Sequence, residues 1–164
     1  LTDDAPNADE LSSWMRAWLD GQPPANVWIG TTVEDQPRAD QRIPELLRIP
    51  ARIRFLSCEP LLGPVRLTDI YRYGGGAAIA CNPLTGRNNN GFNPISPRPA
   101  GSRVHWVICG GESGPGARPM HPDWARSLRD QCAAASVPFH LKQWAGRLLD
   151  GRPHDGFPES RGMV

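Results

Sequence analysis

Large apolar side chains recur at helical spacing near the start of the chain. They are Leu11, Trp14, Met15, Trp18 and Leu19. This i, i+3, i+4 pattern predicts an amphipathic helix that packs on a sheet. Asn7 and Glu10 have the spacing of a capping box, and Gly21 stands where a helix-ending glycine is expected.

Four short segments rich in apolar and β-branched residues follow this helix. They cover residues 26–34, 52–59, 104–112 and 137–144. Near-continuous apolar runs of this length are typical of strands in parallel sheets, where both faces are covered. Each segment therefore predicts one strand.

Helical segments separate these strands. Pro37 near a first helical position predicts a helix that starts after Asp35, and Pro44 predicts a break at Ile43 into two short helices. Pro122 predicts the start of a further helix. The apolar face of that helix is formed by Trp124, Leu128 and Cys132. The alternation of strands and helices predicts an α/β fold with parallel strands and outer helices.

Residues 71–102 differ from the rest because they are rich in Gly, Pro and Asn and contain few apolar residues. Backbone entropy would outweigh what this composition can bury, so the segment predicts a long mobile loop or insertion. The tail after Gly146 is polar and rich in Gly and Pro. We therefore expect one domain over residues 1–146, interrupted by the insertion, and a loosely ordered tail over residues 147–164.

Composition and charge exclude several classes of protein. The net charge of +1 gives no global field that would attract nucleic acid or anionic lipid. No apolar run reaches the length of a membrane span. The four cysteines form no C-x-x-C pair, which disfavours a zinc ribbon, and with the absent secretory signal they predict a cytoplasmic protein. Because the chain begins with Leu1, we expect a processed or truncated start.

Three predicted strands end in a glutamate that is closely followed by a proline. These residues are Glu34, Glu59 and Glu112, and the fourth strand ends near Lys142. Since the carboxyl ends of parallel strands open on one side of the sheet, we expect these groups to converge there with Thr32 and Ser57. Crowded carboxylates predict a ligand with a positive centre, or a salt-bridge network with Arg118 and Lys142. The alternative is that each glutamate caps a following helix.

The segment Gly110-Gly-Glu-Ser-Gly-Pro-Gly116 is the most specific one in the chain. Glycines at a strand end permit positive φ and let a ligand approach the backbone, whose N–H groups can hold an anion or a ribose hydroxyl. The segment matches neither a dinucleotide-binding fingerprint nor a phosphate-binding P-loop. A tight strand-to-helix turn without a ligand is the alternative.

Four motifs resemble one protein family in chain order. They are Asn26-Val-Trp-Ile-Gly-Thr-Thr-Val-Glu-Asp-Gln36, Phe55-Leu-Ser-Cys-Glu-Pro-Leu-Leu-Gly63, Trp106-Val-Ile-Cys-Gly-Gly-Glu-Ser-Gly-Pro-Gly-Ala-Arg-Pro119 and Leu141-Lys-Gln-Trp144. They resemble the C-terminal part of a bacteriophage-associated family of unknown function that is similar to radical S-adenosylmethionine enzymes. The resemblance covers most of residues 26–146.

This resemblance implies half of a partial TIM-type (β/α) barrel that uses S-adenosylmethionine and acts on an unknown small molecule or nucleic-acid-related substrate. It also implies a [4Fe–4S] cluster on an upstream cysteine motif that this chain lacks, so the chain alone should be inactive. The residues expected to be catalytic are Glu34, Glu59, Glu112 and Lys142. Those expected to bind the cofactor are Thr32, Ser57, Gly110, Gly111, Ser113, Gly114 and Arg118. No residue is expected to bind a metal.

Two other functions stay open from the sequence. A non-catalytic nucleic-acid or nucleotide-binding module would use the arginines and residues 71–102, and its affinity would fall steeply with added salt. An inactive, truncated fragment is the second. Its incomplete barrel would leave a sheet edge exposed, which favours self-association.

Overall fold

The computed structural model describes residues 7–74, 77–88, 102–143 and 148–158. The helices are α1 (Ala8–Leu19), α2 (Gln36–Arg48) and α3 (Pro122–Ala134). The strands are β1 (Trp28–Thr32), β2 (Ile53–Cys58), β3 (Ile70–Gly74), β4 (Ala77–Asn82), β5 (Arg87–Asn88), β6 (Trp106–Gly110) and β7 (Phe139–Gln143). None of the helices in these ranges is long and apolar enough to cross a membrane.

Four strands form a parallel sheet in the order β1-β2-β6-β7. Helix α2 connects β1 to β2 and packs on β1, and α3 connects β6 to β7 and packs on both. The α/β prediction with parallel strands and flanking helices is therefore confirmed. The strand order follows the chain order, as it does in a (β/α) barrel.

The two faces of this sheet are covered differently. The face that carries Leu56, Cys58, Val107, Cys109 and Leu141 is fully buried. The alternation of side chains along each strand puts a second set of residues on the other side, which we call the open face. The open face consists of Trp28, Gly30, Thr32, Ile53, Phe55, Ser57, Trp106, Ile108, His140 and Lys142. These open-face residues are half-buried or exposed.

Helix α1 begins with the predicted capping box, in which the Asn7 side chain accepts from the N–H groups of Asp9 and Glu10. The prediction that it packs on the sheet is wrong. Four apolar side chains remain exposed: Leu11 at 47%, Trp14 at 44%, Met15 at 51% and Leu19 at 76%. The reason is that α2 and α3 already cover the buried face, and α1 is tied to the rest through a bond from Trp18 Nε1 to the Pro50 carbonyl.

Helix α2 runs through Pro44 without a break, so the prediction of two short helices is wrong. A proline inside a helix removes one backbone hydrogen bond and costs about 3 kcal/mol. Burial of Ile43, Leu46 and Leu47 offsets this cost, since each such side chain stabilises by roughly 1.5–3 kcal/mol. The helix starts as predicted, with Pro37 in its first turn and Asp35 as the N-cap.

The segment expected to be a long loop contains secondary structure. Strands β3, β4 and β5 form a three-stranded antiparallel sheet within residues 70–88. Ile70, Cys81 and Leu84 are buried and join the core, which supplies the stabilisation that a loop of this composition was expected to lack. The rest of the predicted insertion, residues 89–101, lies outside the described residues.

Residues 148–158, which were expected to be loosely ordered, lie against β7. Leu141 N donates to the His154 carbonyl at 2.8 Å, and Gly156 N donates to the Phe139 carbonyl at 2.9 Å. Trp106 Nε1 donates to the Gly156 carbonyl at 2.8 Å. These bonds cover the outer edge of β7 and bring residues 153–158, here called the tail, onto the open face.

Candidate functional site at the carboxyl ends of the strands

Glu59 and Lys142 meet at the carboxyl ends of β2 and β7. Lys142 Nζ lies 3.1 Å from Glu59 Oε2, and the glutamate side chain is only 16% exposed. Gly110, at the end of β6 between them, leaves room for this carboxylate. A Cβ atom at position 110 would lie 3.0 Å from Glu59 Oε1. The strand order and the lack of a side chain at Gly110 thus leave space for the Glu59 carboxylate at this end of the sheet.

Backbone hydrogen bonds fix the chain that follows Glu59. Leu61 N donates to the Gly110 carbonyl at 2.9 Å, and Leu62 N donates to the Glu34 carbonyl at 2.8 Å. Gly111 N donates to the Gln143 carbonyl at 2.8 Å. The ends of all four parallel strands are therefore linked through their backbones, and Glu59 is held on a rigid support.

Glu34 pairs with a cation that sequence reasoning missed. Arg42 of α2 places Nη1 at 3.1 and 2.9 Å from the two Glu34 carboxylate oxygens. The same nitrogen contacts the Thr32 carbonyl at 3.0 Å and the Thr32 hydroxyl at 2.6 Å. Burial acts to raise the pKa of Glu34, but hydrogen bonds from its own backbone, Arg42 and Thr32 leave this pKa lowered.

Glu112 closes a local turn. Its two carboxylate oxygens accept from Arg118 Nε at 2.9 Å and Nη2 at 2.8 Å, and Arg118 N also donates to it at 2.8 Å. These bonds lower the pKa of Glu112 to about 2. Ser113 and Gly114 lie exposed in the same turn, and Gly114 has a φ of +97°.

The capping alternative is wrong for these glutamates. The N-cap of α2 is Asp35, whose side chain accepts from Arg38 N, and the N-cap of α3 is His121. Glu34 and Glu112 instead each bind an arginine, and the segment that follows Glu59 is not helical. Pairing with cations, rather than capping, accounts for all three carboxylates.

The structure brings only part of the predicted site into direct contact. Glu59 contacts Lys142 and lies against Gly110, whereas Thr32 and Glu34 meet through Arg42. Ser57 is half-buried on the open face, between Thr32 and Ile108 in the strand pairing. The remaining predicted residues are Gly111, Glu112, Ser113, Gly114 and Arg118, on β6's extension and its turn. Trp144, in the fourth motif, lies outside the described residues.

The cysteines do not fit an iron–sulfur cluster. All four are buried, and burial raises the pKa of Cys58, Cys109 and Cys132, to about 12 for the latter two. Across the described ranges, no group of three or more His, Cys, Asp or Glu side chains could hold a metal ion.

A cleft of about 620 Å³ opens on the helix side of the sheet, between α2 and α3. Gln36 and Gln131 line it, and both hold the backbone of the segment between them. Arg66 N donates to Gln36 Oε1 at 2.7 Å, and Leu67 N donates to Gln131 Oε1 at 2.6 Å. Their amides therefore serve to fix the crossover from β2, which makes the strand ends the better candidate site.

A protein-family model matches the chain over most of its length. Residues 1–158 match the family described as "Protein of unknown function (DUF5131)". No curated protein and no solved structure matches the chain. The matched range includes every predicted site residue.

Proposed function

Because the chain belongs to the DUF5131 family, whose function is unknown, we propose a function from its own residues. The chain forms part of a radical-S-adenosylmethionine-like (β/α) barrel, and its strand ends bind S-adenosylmethionine. The sequential order of the four parallel strands and the open face support half of such a barrel. The link to phages rests on the motif resemblance alone.

The observation that carries this proposal is the Glu59–Lys142 pair above Gly110. It lies at the carboxyl ends of β2 and β7, the parallel strands on either side of β6, where α/β proteins bind ligands. S-adenosylmethionine carries an ammonium, a sulfonium and a carboxylate. Glu59 offers a carboxylate to the cationic groups, and Lys142 offers an ammonium to the ligand's carboxylate.

The role of this chain in the reaction is to bind and orient. Glu59 is mostly buried, so its attraction for a cation is less screened by water than that of an exposed carboxylate. Lys142 is 57% exposed and can turn from Glu59 to an incoming carboxylate. Bound S-adenosylmethionine would supply a 5′-deoxyadenosyl radical only after reductive cleavage by a [4Fe–4S] cluster. Since the described cysteines do not fit that cluster, we propose ligand binding, not cleavage, for this chain alone.

A nucleic-acid-binding module is the weaker candidate. Arg42 and Arg118, which contact two of the strand-end glutamates, are both bonded to those carboxylates. A phosphate would have to displace those carboxylates, and the net charge of +1 provides no compensating field. Added salt separates the two functions, because phosphate binding weakens steeply with salt concentration.

Calorimetric titration of the chain with S-adenosylmethionine tests the proposal. We expect binding that Glu59→Gln weakens at least about tenfold, because the variant keeps the shape but loses the charge. Glu45→Gln is the matched control, since Glu45 is exposed on α2 and pairs with Arg48 at the surface. Absence of binding to the wild-type chain, or equal affinity in Glu59→Gln, would overturn the proposal.

A further inference from the structure

A cavity of about 450 Å³ opens at the amino ends of the parallel strands, opposite the Glu59–Lys142 pair. Among its lining residues, Ile53 is the first residue of β2, His105 directly precedes β6, and Pro138 directly precedes β7. Ile53 and Glu59 are six residues apart, which is roughly 20 Å along a strand. The cavity is therefore separate from the proposed S-adenosylmethionine site, and its volume is that of a small-molecule pocket.

Part of the cavity lining is apolar. Ile53, Val137, Pro138 and Phe157 contribute to it. Phe157 of the tail is 59% exposed, and Ile53 is half-buried. Removal of such apolar surface from water is favourable. A ligand with an apolar body would therefore be stabilised against these side chains.

Arg103 supplies a positive charge to the same cavity. It is exposed, and no hydrogen bond or ion pair joins it to another residue of the described ranges. There is no Asp or Glu among the described residues that line the cavity. Arg42 and Arg118 at the other end of the sheet differ, because each of them is paired with a glutamate. The charge balance of this cavity thus favours an anionic ligand.

His105 supplies a neutral hydrogen-bond donor. Burial, together with the positive charges of Arg103 and Arg54, lowers the pKa of His105 to about 4, so the ring is neutral at pH 7. Its Nδ1 accepts from Arg54 N at 3.1 Å, which puts the proton of the neutral ring on Nε2. No described residue accepts from this Nε2, and it is not sealed inside the protein as the unpartnered Nε2 of His154 is. The Nε2–H group of His105 can therefore donate to a ligand.

Ser136 brings a hydroxyl to the lining at the end of α3. Its φ is +53°, and the next residue, Val137, donates its N–H to the Cys132 carbonyl at 2.9 Å. This is the backbone geometry of a helix end at which glycine is favoured. The serine side chain is thus not needed for the turn, and its hydroxyl is a further polar group for a ligand.

We propose that this cavity binds a small organic acid, in which a carboxylate is carried on an apolar body such as an aromatic ring. Arg103 holds the carboxylate, and the Nε2–H group of His105 and the Ser136 hydroxyl donate to it. The apolar body packs against Ile53 and Phe157. Binding here does not require S-adenosylmethionine, because the proposed site for that ligand lies at the other end of the sheet.

A carboxylate fits this cavity better than a phosphate does. One guanidinium balances one negative charge, and its planar fork can form two parallel hydrogen bonds with a carboxylate. A phosphate monoester carries nearly two negative charges at pH 7. The apolar lining residues Ile53, Val137, Pro138 and Phe157 have no side-chain donor to offer its additional oxygens.

NMR titration of the full chain with benzoate tests the proposal, and benzamide is the uncharged probe of similar shape. We expect saturable shifts of the His105 and Phe157 ring signals, and a dissociation constant for benzoate at least about tenfold lower than that for benzamide. Arg103→Gln should remove this difference, because the variant loses the charge. Arg16→Gln, at an exposed position of α1, is the matched control and should bind benzoate like the wild-type chain. Equal benzoate affinity in Arg103→Gln and the wild-type chain, or saturable shifts confined to the strand-end residues, would overturn the proposal.

Ser136→Gly separates ligand binding from folding. Because glycine suits a φ of +53°, urea unfolding should find this variant at least as stable as the wild-type chain. Benzoate binding should nevertheless weaken at least about threefold, since one hydrogen bond is lost. Unchanged benzoate affinity would overturn the site as proposed. Inorganic phosphate is the third probe, and phosphate binding as tight as that of benzoate would overturn the assignment to an organic acid.

The carboxylate of Glu159 is a competing occupant from the chain itself, because this residue directly follows Pro158 of the lining. Glu159→Gln removes its charge and leaves the rest of the chain unchanged. We expect this variant to bind benzoate with the affinity of the wild-type chain. Benzoate binding that appears only in Glu159→Gln would show that the cavity receives the chain's own carboxylate, and would overturn the proposal.

Discussion

Two glutamates at equivalent strand ends have different surroundings. Glu59 meets Lys142 from a strand 83 positions away, on the open face and with little solvent access. Glu112 meets Arg118 only six positions along the chain, in an exposed turn. The first pair joins separate strands of the sheet, whereas the second closes one loop on itself.

The difference shows that position at a strand end does not by itself make a binding group. Arg118 satisfies both oxygens of Glu112 and adds its own backbone N–H, which leaves that carboxylate little capacity for a ligand. Glu59 has one described cation on one oxygen, and its other oxygen faces Gly110. Of these two carboxylates, Glu59 is the one that is mostly buried and whose cation is exposed enough to turn to a ligand.

Among the variants that test the difference between Glu59 and Glu112, Gly110→Ala should have the largest effect on stability and binding. The added Cβ would lie 3.0, 3.2 and 3.3 Å from three Glu59 side-chain atoms, so the carboxylate must move. Crowding of this kind costs about 1–3 kcal/mol, and we expect urea unfolding to show it together with at least about tenfold weaker S-adenosylmethionine binding. The control is Gly63→Ala, whose Cβ would meet only Asp35 Cβ at 3.9 Å. Equal stability and equal S-adenosylmethionine affinity in the two variants would mean that Gly110 does not provide the space that Glu59 needs.

Lys142→Met should have the next largest effect. It leaves the mostly buried Glu59 carboxylate without its cation and is expected to lower the free energy of unfolding by about 1 kcal/mol. Lys142→Arg keeps the charge and should restore most of this loss. If urea unfolding finds Met and Arg at position 142 equally stable, the ion pair contributes nothing to the fold.

Arg118→Met should have the smallest effect on stability and binding, because the Glu112 pair is exposed. Its effect should appear in titration instead. The pKa of Glu112, about 2 in the wild-type chain, should return towards its ordinary 4.5 when the Arg118 hydrogen bonds are lost. An NMR titration of the Glu112 carboxyl carbon measures this change, and an unaltered pKa would mean that Arg118 does not hold it.

The Glu112–Arg118 pair also predicts how the stability of this turn depends on pH. Since folding lowers the pKa of Glu112, the stability it contributes is fully present above the ordinary value of 4.5 and is lost as the pH falls through about 2. In the wild-type chain, the protection of the 112–118 turn from hydrogen exchange, relative to the intrinsic rate at each pH, should therefore fall as the pH is lowered from 4.5 to about 2. The Arg118→Met turn should show no such step.

Much of the fold could be predicted because its signals are local. The Asn7 capping box, the start of α2 after Asp35 and the start of α3 at Pro122 each depend on residues within one helical turn. The four parallel strands were found because apolar runs of this kind are typical of buried strands. Within this α/β frame, the helices flanking the sheet followed from general rules.

The wrong predictions concern segments in which an unfavourable local energy is offset by tertiary packing. Pro44 breaks a helix only if packing does not offset its cost, and the burial of Ile43 and Leu47 cannot be known from the sequence. The strands within residues 70–88 gain their stability from a few buried side chains, Cys81 and Leu84 among them. Neither energy can be read from composition.

The candidate site was predicted in part for the same reason. Glu59 and Lys142 were expected to meet because parallel strands share one end, and they do. Arg42 was missed because it lies in the middle of a helix, where only the orientation of α2 brings it to Glu34. Arg118 was named, but the sequence could not show that it would occupy Glu112 completely.

The aromatic side chains beneath the tail have an optical consequence. The rings of Trp28 and Trp106 lie 6.2 Å apart at 85°, and Phe157 of the tail lies 4.9 Å from Trp106. Indole rings fixed at this distance in an asymmetric environment give a circular dichroism signal in the near ultraviolet. Departure of the tail would free Trp106 and change that signal. The chain therefore carries its own spectroscopic reporter of whether its last described residues are docked.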